Sequence, residues 1–240
     1  MSNDTKLLGL VDITEQQDLP AGKFSSWLHR TRSTQFNGNG ADVPCGKCNA
    51  CCKSSYFIHI GPKETQTLAR IPKELLFTAP GLAEGNVLLG YDENGHCTML
   101  IDNKCSIYED RPLTCRNYDC RIFPAAGLAA GDDDKPLITQ QIRRWKFSFP
   151  TMQDRNLHSA VQAAVLFLRE HAECFPAGVI PRNSTQLAIF AIKVYDVFLR
   201  SNDESNKTGR VFPDLEVVKS VMEALDKLAA RRDISKAHPT

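Results

Sequence analysis

The chain has 240 residues, 42% of them apolar and 24% charged, and 29 basic residues against 28 acidic ones leave a net charge of +1. That is enough apolar material for one compact core or two small ones, and the charge balance argues against a nucleic-acid-binding face. Fibrous and disordered classes are excluded by composition, and the longest apolar runs, such as AAVLFL at 163–168, fall short of the roughly 18 residues a membrane span needs.

The opening stretch, MSNDTKLLGLVDITEQQDLP, has no basic n-region, apolar h-region or small-residue cleavage site, so no secretory signal is expected. The expected setting is the cytoplasm, where thiols stay reduced. Residues 1–23 read as a loose leader. Residues 24–36 set Phe24, Trp27 and Leu28 on one helical face, and NGNGADVP then breaks the chain repeatedly. YFIHI (56–60) alternates as a short strand. GPKETQTLARIP (61–72) reads as a helix opened by Pro62 and stopped before Pro72. VLLGY and CTMLI flank Asn94-Gly95 in the pattern of a β-hairpin, and DNK (102–104) makes a second turn before Cys105. A short helix is expected near Pro112. Asp132–Asp134 belong to a solvated loop without the ligand spacing of a calcium site.

From residue 137 the pattern is helical. Leu157, Ala160, Val161, Ala164, Val165 and Leu168 form one apolar stripe; Leu187, Phe190, Ala191, Val194, Val197 and Phe198 form a second. Leu215, Val218, Met222, Leu225 and Leu228 form a third, and SNDESNKTG (201–209) reads as a polar loop before it. No internal repeat is present. The expected fold class is α+β, an irregular cysteine-rich part with short strands followed by a small helical part. Its expected divisions are a leader and helix (1–44), a cysteine-cluster metal-binding domain (45–124) and a helical region packed on it (125–240).

Nine cysteines in a reducing compartment need a reason, and eight of them lie between Cys45 and Cys120. A disulfide framework suits small secreted scaffolds, and nothing here suggests export. Core packing gives no reason for the spacing of CGKCNACC. Metal ligation does: cysteine at every third position lets a loop curl round a metal or cluster with its sulfurs inward, and Gly46 lets the chain turn after the first ligand. The candidate ligands are Cys45, Cys48, Cys51 and Cys52 together with Cys97, Cys105, Cys115 and Cys120. Cys51 and Cys52 diverge by about 100° on a helix or about 180° on a strand, which places them poorly for the same atom. One of the two therefore serves a second site or a different iron of a larger cluster. The grouping stays open.

Around these residues Arg111, Arg116 and Arg121 either offset thiolate charge or pair with Glu109, Asp110 and Asp119. His59 and His96 are weaker ligand candidates beside eight thiols. Cys174, on or beside an apolar helix, is expected to be an unliganded core cysteine. Asp102 and Tyr108 are expected as a turn former and a packing residue. No nucleophile–base pair, P-loop or dinucleotide fingerprint is recognisable, so whether the chain is an enzyme stays open.

CGKCNACC followed by GHCTMLIDNKCSIYEDRPLTCRNYDC resembles the YkgJ-type cysteine-cluster family, described as zinc- or iron-chelating proteins. The likeness covers about residues 41–125, with weaker likeness at FSSWLHRTR and RRWKF, and takes in all eight cysteines, Asp102, Asn103, the IYE at 107–109, Arg111-Pro112 and Arg116. It implies a bound metal and no particular reaction. A related block occurs in the flagellin lysine methylases, but no glycine-rich methyl-donor loop is recognisable here, so methylation is not carried over. The every-third-residue run resembles cluster loops more than the paired knuckles of zinc ribbons. The expectation is thus an iron–sulfur cluster with a redox role or a place in a modifying enzyme. The alternative is a non-catalytic, zinc-stabilised interaction module whose helical part contacts a protein partner.

Overall fold

In the computed structural model, residues 17–37, 43, 46–130, 135–208 and 214–237 are described. The fold class is α+β, as expected: short strands and helical turns carry the cysteines, and long helices follow.

The chain starts with a strand, β1 (Leu19–Lys23), that runs directly into helix α1 (Phe24–Asn37). The loose leader expected over residues 1–23 is corrected at its end, the rest (1–16) lying outside the described residues: β1 pairs in parallel with β7 (Trp145–Ser148), more than a hundred residues away. Its register skips Ala21, which is left opposite no partner between Pro20↔Lys146 and Gly22↔Phe147. Gly22 sits at φ +95°, a backbone state that costs glycine little. The bulge turns Ala21 inward, where its carbonyl accepts a hydrogen bond from Arg121 Nη1 at 3.3 Å. Phe24 is fully buried against Trp27, Phe147, Phe149 and His158, with ring centroids 4.8–5.7 Å apart.

A three-stranded antiparallel sheet in the order β2 (Ile58–Ile60), β4 (Val87–Leu89), β3 (Leu76–Thr78) forms the middle of the chain. Side chains alternate across it: Ile60 and Leu89 point into a small core with Ile71, Met99 and Ile107, while Phe77 faces outward. Helix α2 starts at Thr65 (Thr65–Arg70) rather than at Pro62. The Glu64 carboxylate explains the later start. It accepts from Gly61 N at 2.8 Å and from Leu113 N at 2.6 Å, which ties this turn to the start of α3 (Leu113–Asn117). The short helix expected near Pro112 is α3.

The hairpin expected around Asn94-Gly95 shrinks to one antiparallel bridge, Tyr91↔Cys97, because Asp92 Oδ1 draws the turn closed by accepting from Asn94 N and His96 N. A regular two-residue hairpin forms instead one turn later, between β5 (Leu100–Ile101) and β6 (Lys104–Cys105). Asp102 and Asn103 both hold positive φ there, 49° and 60°, the pattern of a type I′ turn. Asp102 is a turn former, as the sequence suggests.

Helix α4 (Ile122–Ala126) leads from Cys120 into the larger core and ends at Gly127 in the left-handed conformation. Helix α5 (Pro136–Arg144) hands over to β7, which the helical pattern did not reveal. Helix α6 (Met152–Glu170) begins with a reciprocal cap: the Thr151 hydroxyl accepts from Asp154 N while the Asp154 carboxylate accepts from Thr151 N. Burial alone would raise the Asp154 carboxyl, but hydrogen bonds from Thr151 and Ser25 hold it well below the usual carboxylate range.

Helix α6 packs along α7 (Ser184–Thr208) with α4, α1 and α8 (Asp214–Ala237) around it. The first two stripes pack into the large core as expected, Leu157, Phe190 and Val197 being half-buried at its margin. In the third, Val218 is buried beside Val221, but Leu215 is 72% exposed at the start of α8. The polar loop expected over 201–209 is corrected as well: residues 201–208 continue α7. No proline or glycine precedes Gly209 in that stretch, so nothing breaks the helix before it. The expected aspartate loop at 132–134 lies outside the described residues. No helix among them is long and apolar enough to cross a membrane.

Candidate metal centre

The two cysteine blocks meet. The first runs from Gly46, at φ +56°, into a 3₁₀ turn at Cys51–Lys53. The Cys97 N–H donates to the Cys52 carbonyl at 2.7 Å, and Ser55 N donates to Gly95 O at 3.0 Å. Two side chains clamp the same block to the β5–β6 hairpin: Asn49 Nδ2 donates to Asn103 O at 3.2 Å, and Lys53 Nζ to Asn103 Oδ1 at 2.6 Å. Backbone and side chains thus fix a juxtaposition that spans some fifty residues of sequence.

Between the blocks lies a cavity of about 680 Å³. Seven cysteines line it: Cys48, Cys51, Cys52, Cys97, Cys105, Cys115 and Cys120. All seven are thiols, with no disulfide among them. Cys45 lies outside the described residues. Neither His59 nor His96 lines the cavity; His59 Nε2 instead lies 2.8 Å from Asn86 Oδ1.

The thiols divide between two cores. Cys97 and Cys105 pack on the small core under the three-stranded sheet, while Cys48 and Cys120 pack on the large helical core. Electrostatics draws the same line. Burial, followed by the Cys52, Cys97 and Cys105 thiols, pushes Cys115 up to about 12, and Arg111 pulls the other way. Burial also raises Cys97, and Cys105 adds to the effect. On the other side, burial first and the Cys51 thiol next raise the Tyr118 hydroxyl, and Cys120 contributes. Cys115 thus has Cys52, Cys97 and Cys105 near it, and Tyr118 has Cys51 and Cys120. Adjacent residues of a 3₁₀ turn point about 120° apart, so Cys51 and Cys52 reach the cavity wall in different directions.

The three arginines differ: the buried Arg116 Nε has no hydrogen-bond partner among the described residues. Arg121 is buried and forks onto Asp119, with Nε and Nη2 2.8–3.1 Å from its carboxylate oxygens, and Trp27 Nε1 donates to the same carboxylate at 2.9 Å. Asp110 is taken by Arg70. Arg111 lies on the cavity wall with its guanidinium 4.0 Å from the Tyr108 ring centroid, so Tyr108 is a packing partner there. Of the three, Arg111 is the cation placed to offset thiolate charge in the cavity.

Two residues beside the thiols went unnoticed in the sequence. Trp145, behind the cavity wall, donates its Nε1–H to Cys120 Sγ at 3.1 Å. Gln141 is 6% exposed, and its Nε2 has no hydrogen-bond partner although its Oε1 accepts from Arg144. A buried amide donor left so is costly and fits a wall that faces an acceptor such as a thiolate or sulfide. The donor set therefore suits a thiophilic metal. Cys174 is corrected: it is exposed on the 3₁₀ turn Ala172–Cys174 and is no core residue.

These features make a cysteine-lined cavity whose donor set suits a chelated metal. Residues 44–143 match the CxxCxxCC family model, described as "Putative zinc- or iron-chelating domain". It is the cysteine-cluster family that the sequence resembles. Comparison with curated proteins and with solved structures gives no match.

Proposed function

We propose that this chain holds an iron–sulfur centre, with Cys52, Cys97, Cys105 and Cys115 as one ligand group and Cys48, Cys51 and Cys120 with Cys45 as a second. The reading rests chiefly on how the thiols are spread. Around one zinc ion, with Zn–S near 2.3 Å, tetrahedral sulfurs lie about 3.8 Å apart. Among the described residues, the trio whose ligand atoms lie within 4.8 Å of one another is elsewhere, at His171, Glu173 and Cys174. Thiols lining a 680 Å³ space at wider separations suit a polynuclear group.

When bound, such a cluster supplies one-electron transfer or a Lewis-acid iron. The chain's own residues do the rest. Trp145 donates its N–H to Cys120 sulfur, Gln141 brings an unpaired N–H to the cavity wall, Arg111 offsets anionic charge, and apolar walls such as Ile58 and Met99 limit water. A redox role or a place in a modifying enzyme follows from the cluster; no substrate is assigned. We also propose that residues 45–124 form the metal-binding domain against which 125–240 pack, and that the setting is the cytoplasm.

Zinc is the second reading. Among the described residues the small core counts five buried apolar residues, Ile60, Ile71, Leu89, Met99 and Ile107, and a core that small commonly needs a metal or disulfide staple. In that case the exposed aromatic trio Phe57, Phe77 and Tyr91, beside the cavity, is the surface for a protein partner.

The test is iron and acid-labile sulfide content of anaerobically purified wild type, Cys115→Ser and Cys48→Ser. Loss of iron and sulfide in both variants is expected. Wild-type loading in either one contradicts its assignment.

A further inference from the structure

A second cluster of metal-ligating side chains lies at the far end of α6, away from the thiol cavity. The helix stops at His171, whose N–H still donates to Phe167 O at 2.9 Å, and the chain then makes a single 3₁₀ turn with Cys174 N donating to His171 O at 3.0 Å. In such a turn residues three apart eclipse each other, so His171 and Cys174 fall on one side with Glu173 between them. One ligand atom from each of the three lies within 4.8 Å of the other two.

The turn is held from below. The His171 imidazole lies against the Phe167 ring, centroids 4.4 Å apart, and the next residue after Cys174, Phe175, is buried edge-on to the same ring. Across from it, Asp214 Oδ2 at the start of α8 sits 3.8 Å from His171 Nδ1. At that distance the carboxylate is an electrostatic neighbour of the ring, placed to close onto a ring N–H once the imidazole is oriented by a metal.

We propose that His171, Glu173 and Cys174 form a separate mononuclear site for a zinc-class divalent ion, with Asp214 as the positioning carboxylate behind His171. Thiolate, imidazole and carboxylate together are the donor set of this borderline-soft ion, which binds nitrogen and oxygen at about 2.0–2.2 Å and sulfur at about 2.3 Å. Donors bound at those lengths lie about 3.3–3.7 Å apart, so the trio has to draw in only slightly from its present spacing, within 4.8 Å; water fills the fourth position. The site does not depend on what the thiol cavity holds. Its ion would tie the turn after α6 to the first residue of α8.

The test uses the full chain, purified anaerobically and then equilibrated with zinc chloride. Wild type is compared with Cys174→Ser, Asp214→Asn and the double variant His171→Gln/Cys174→Ser. Zinc is counted per chain, and its ligand shell is read by X-ray absorption at the zinc edge. Wild type should bind one zinc more than the double variant, with a shell of one sulfur and three lighter donors. Cys174→Ser should remove that sulfur and Asp214→Asn should weaken zinc binding about tenfold, both with iron and sulfide unchanged. Equal zinc in wild type and the double variant, or an all-sulfur shell in both, overturns the proposal. Iron and sulfide on the same samples report separately on the cavity.

Discussion

At the residue scale the decisive groups are cysteines with neighbours. Without metal, Cys115 keeps its proton: burial and three nearby thiols raise it to about 12, against about 9 when exposed. A thiol that titrates higher in the folded state than in the unfolded one lends stability below the unfolded value, and loses it as pH climbs through the folded value. Metal-free protein should therefore weaken to urea between pH about 9 and about 12, and Cys115→Ser should flatten that decline. A wild-type decline that persists in the variant would point to other groups. Trp145→Phe should shift the cluster's reduction potential to a more negative value by removing an N–H···S bond that favours the reduced form; an unchanged potential would deny Trp145 that role. Spacing made the cysteine set legible, since no packing pattern repeats every third residue with a doublet. Cys174 misled because its flanks, Ala172 and Phe175, are apolar although its own turn is exposed. Trp145 and Gln141 carry no local signature of a sulfur partner; the one hint was the weak family likeness at RRWKF, which contains Trp145.

At the element scale the joints between segments matter most. Asp119 and Arg121 form a buried ion pair that also receives Trp27, and so fastens α1 beside Cys120. Asp119→Ala strands the guanidinium and should cost about 3–5 kcal/mol in urea denaturation of the metal-loaded chain; a loss below about 1 kcal/mol would mean that solvent reaches Arg121. Thr151→Ala removes one half of the cap on α6 and should cost about 1 kcal/mol. The apolar stripes of α6 and α7 were readable because their period matches a helix. The β1–β7 pair was not: LPAGK has proline and glycine where alternation would show, and its partner is distant in sequence. Long-range pairing leaves no local trace. The extension of α7 through 201–208 was hidden by polar composition, which resembles a loop unless a breaker is required to end the helix.

At the scale of the whole molecule, two cores of unequal size share one cavity, and cysteines from each face it. The α+β class and the order of cysteine-rich then helical parts were visible in the sequence. The partition of thiols between cores was not, because it depends on where the 3₁₀ turn directs Cys51 and Cys52. Removal of the metal should release the small core first, since it has the fewest buried apolar groups and a bound metal supplies folding energy. Hydrogen exchange on chelated protein should then show lost protection at Ile58–Ile60 and Val87–Leu89, with α6 still protected. Simultaneous loss in both regions would mean a single cooperative unit.

The claim beneath all of this is that the cavity thiols hold iron and inorganic sulfide. Iron and acid-labile sulfide measured on protein purified without oxygen test it most directly. Comparable amounts of both, in a brown sample whose colour vanishes in Cys115→Ser, are the predicted result. A colourless protein with stoichiometric zinc held by sulfur alone and no sulfide would contradict it.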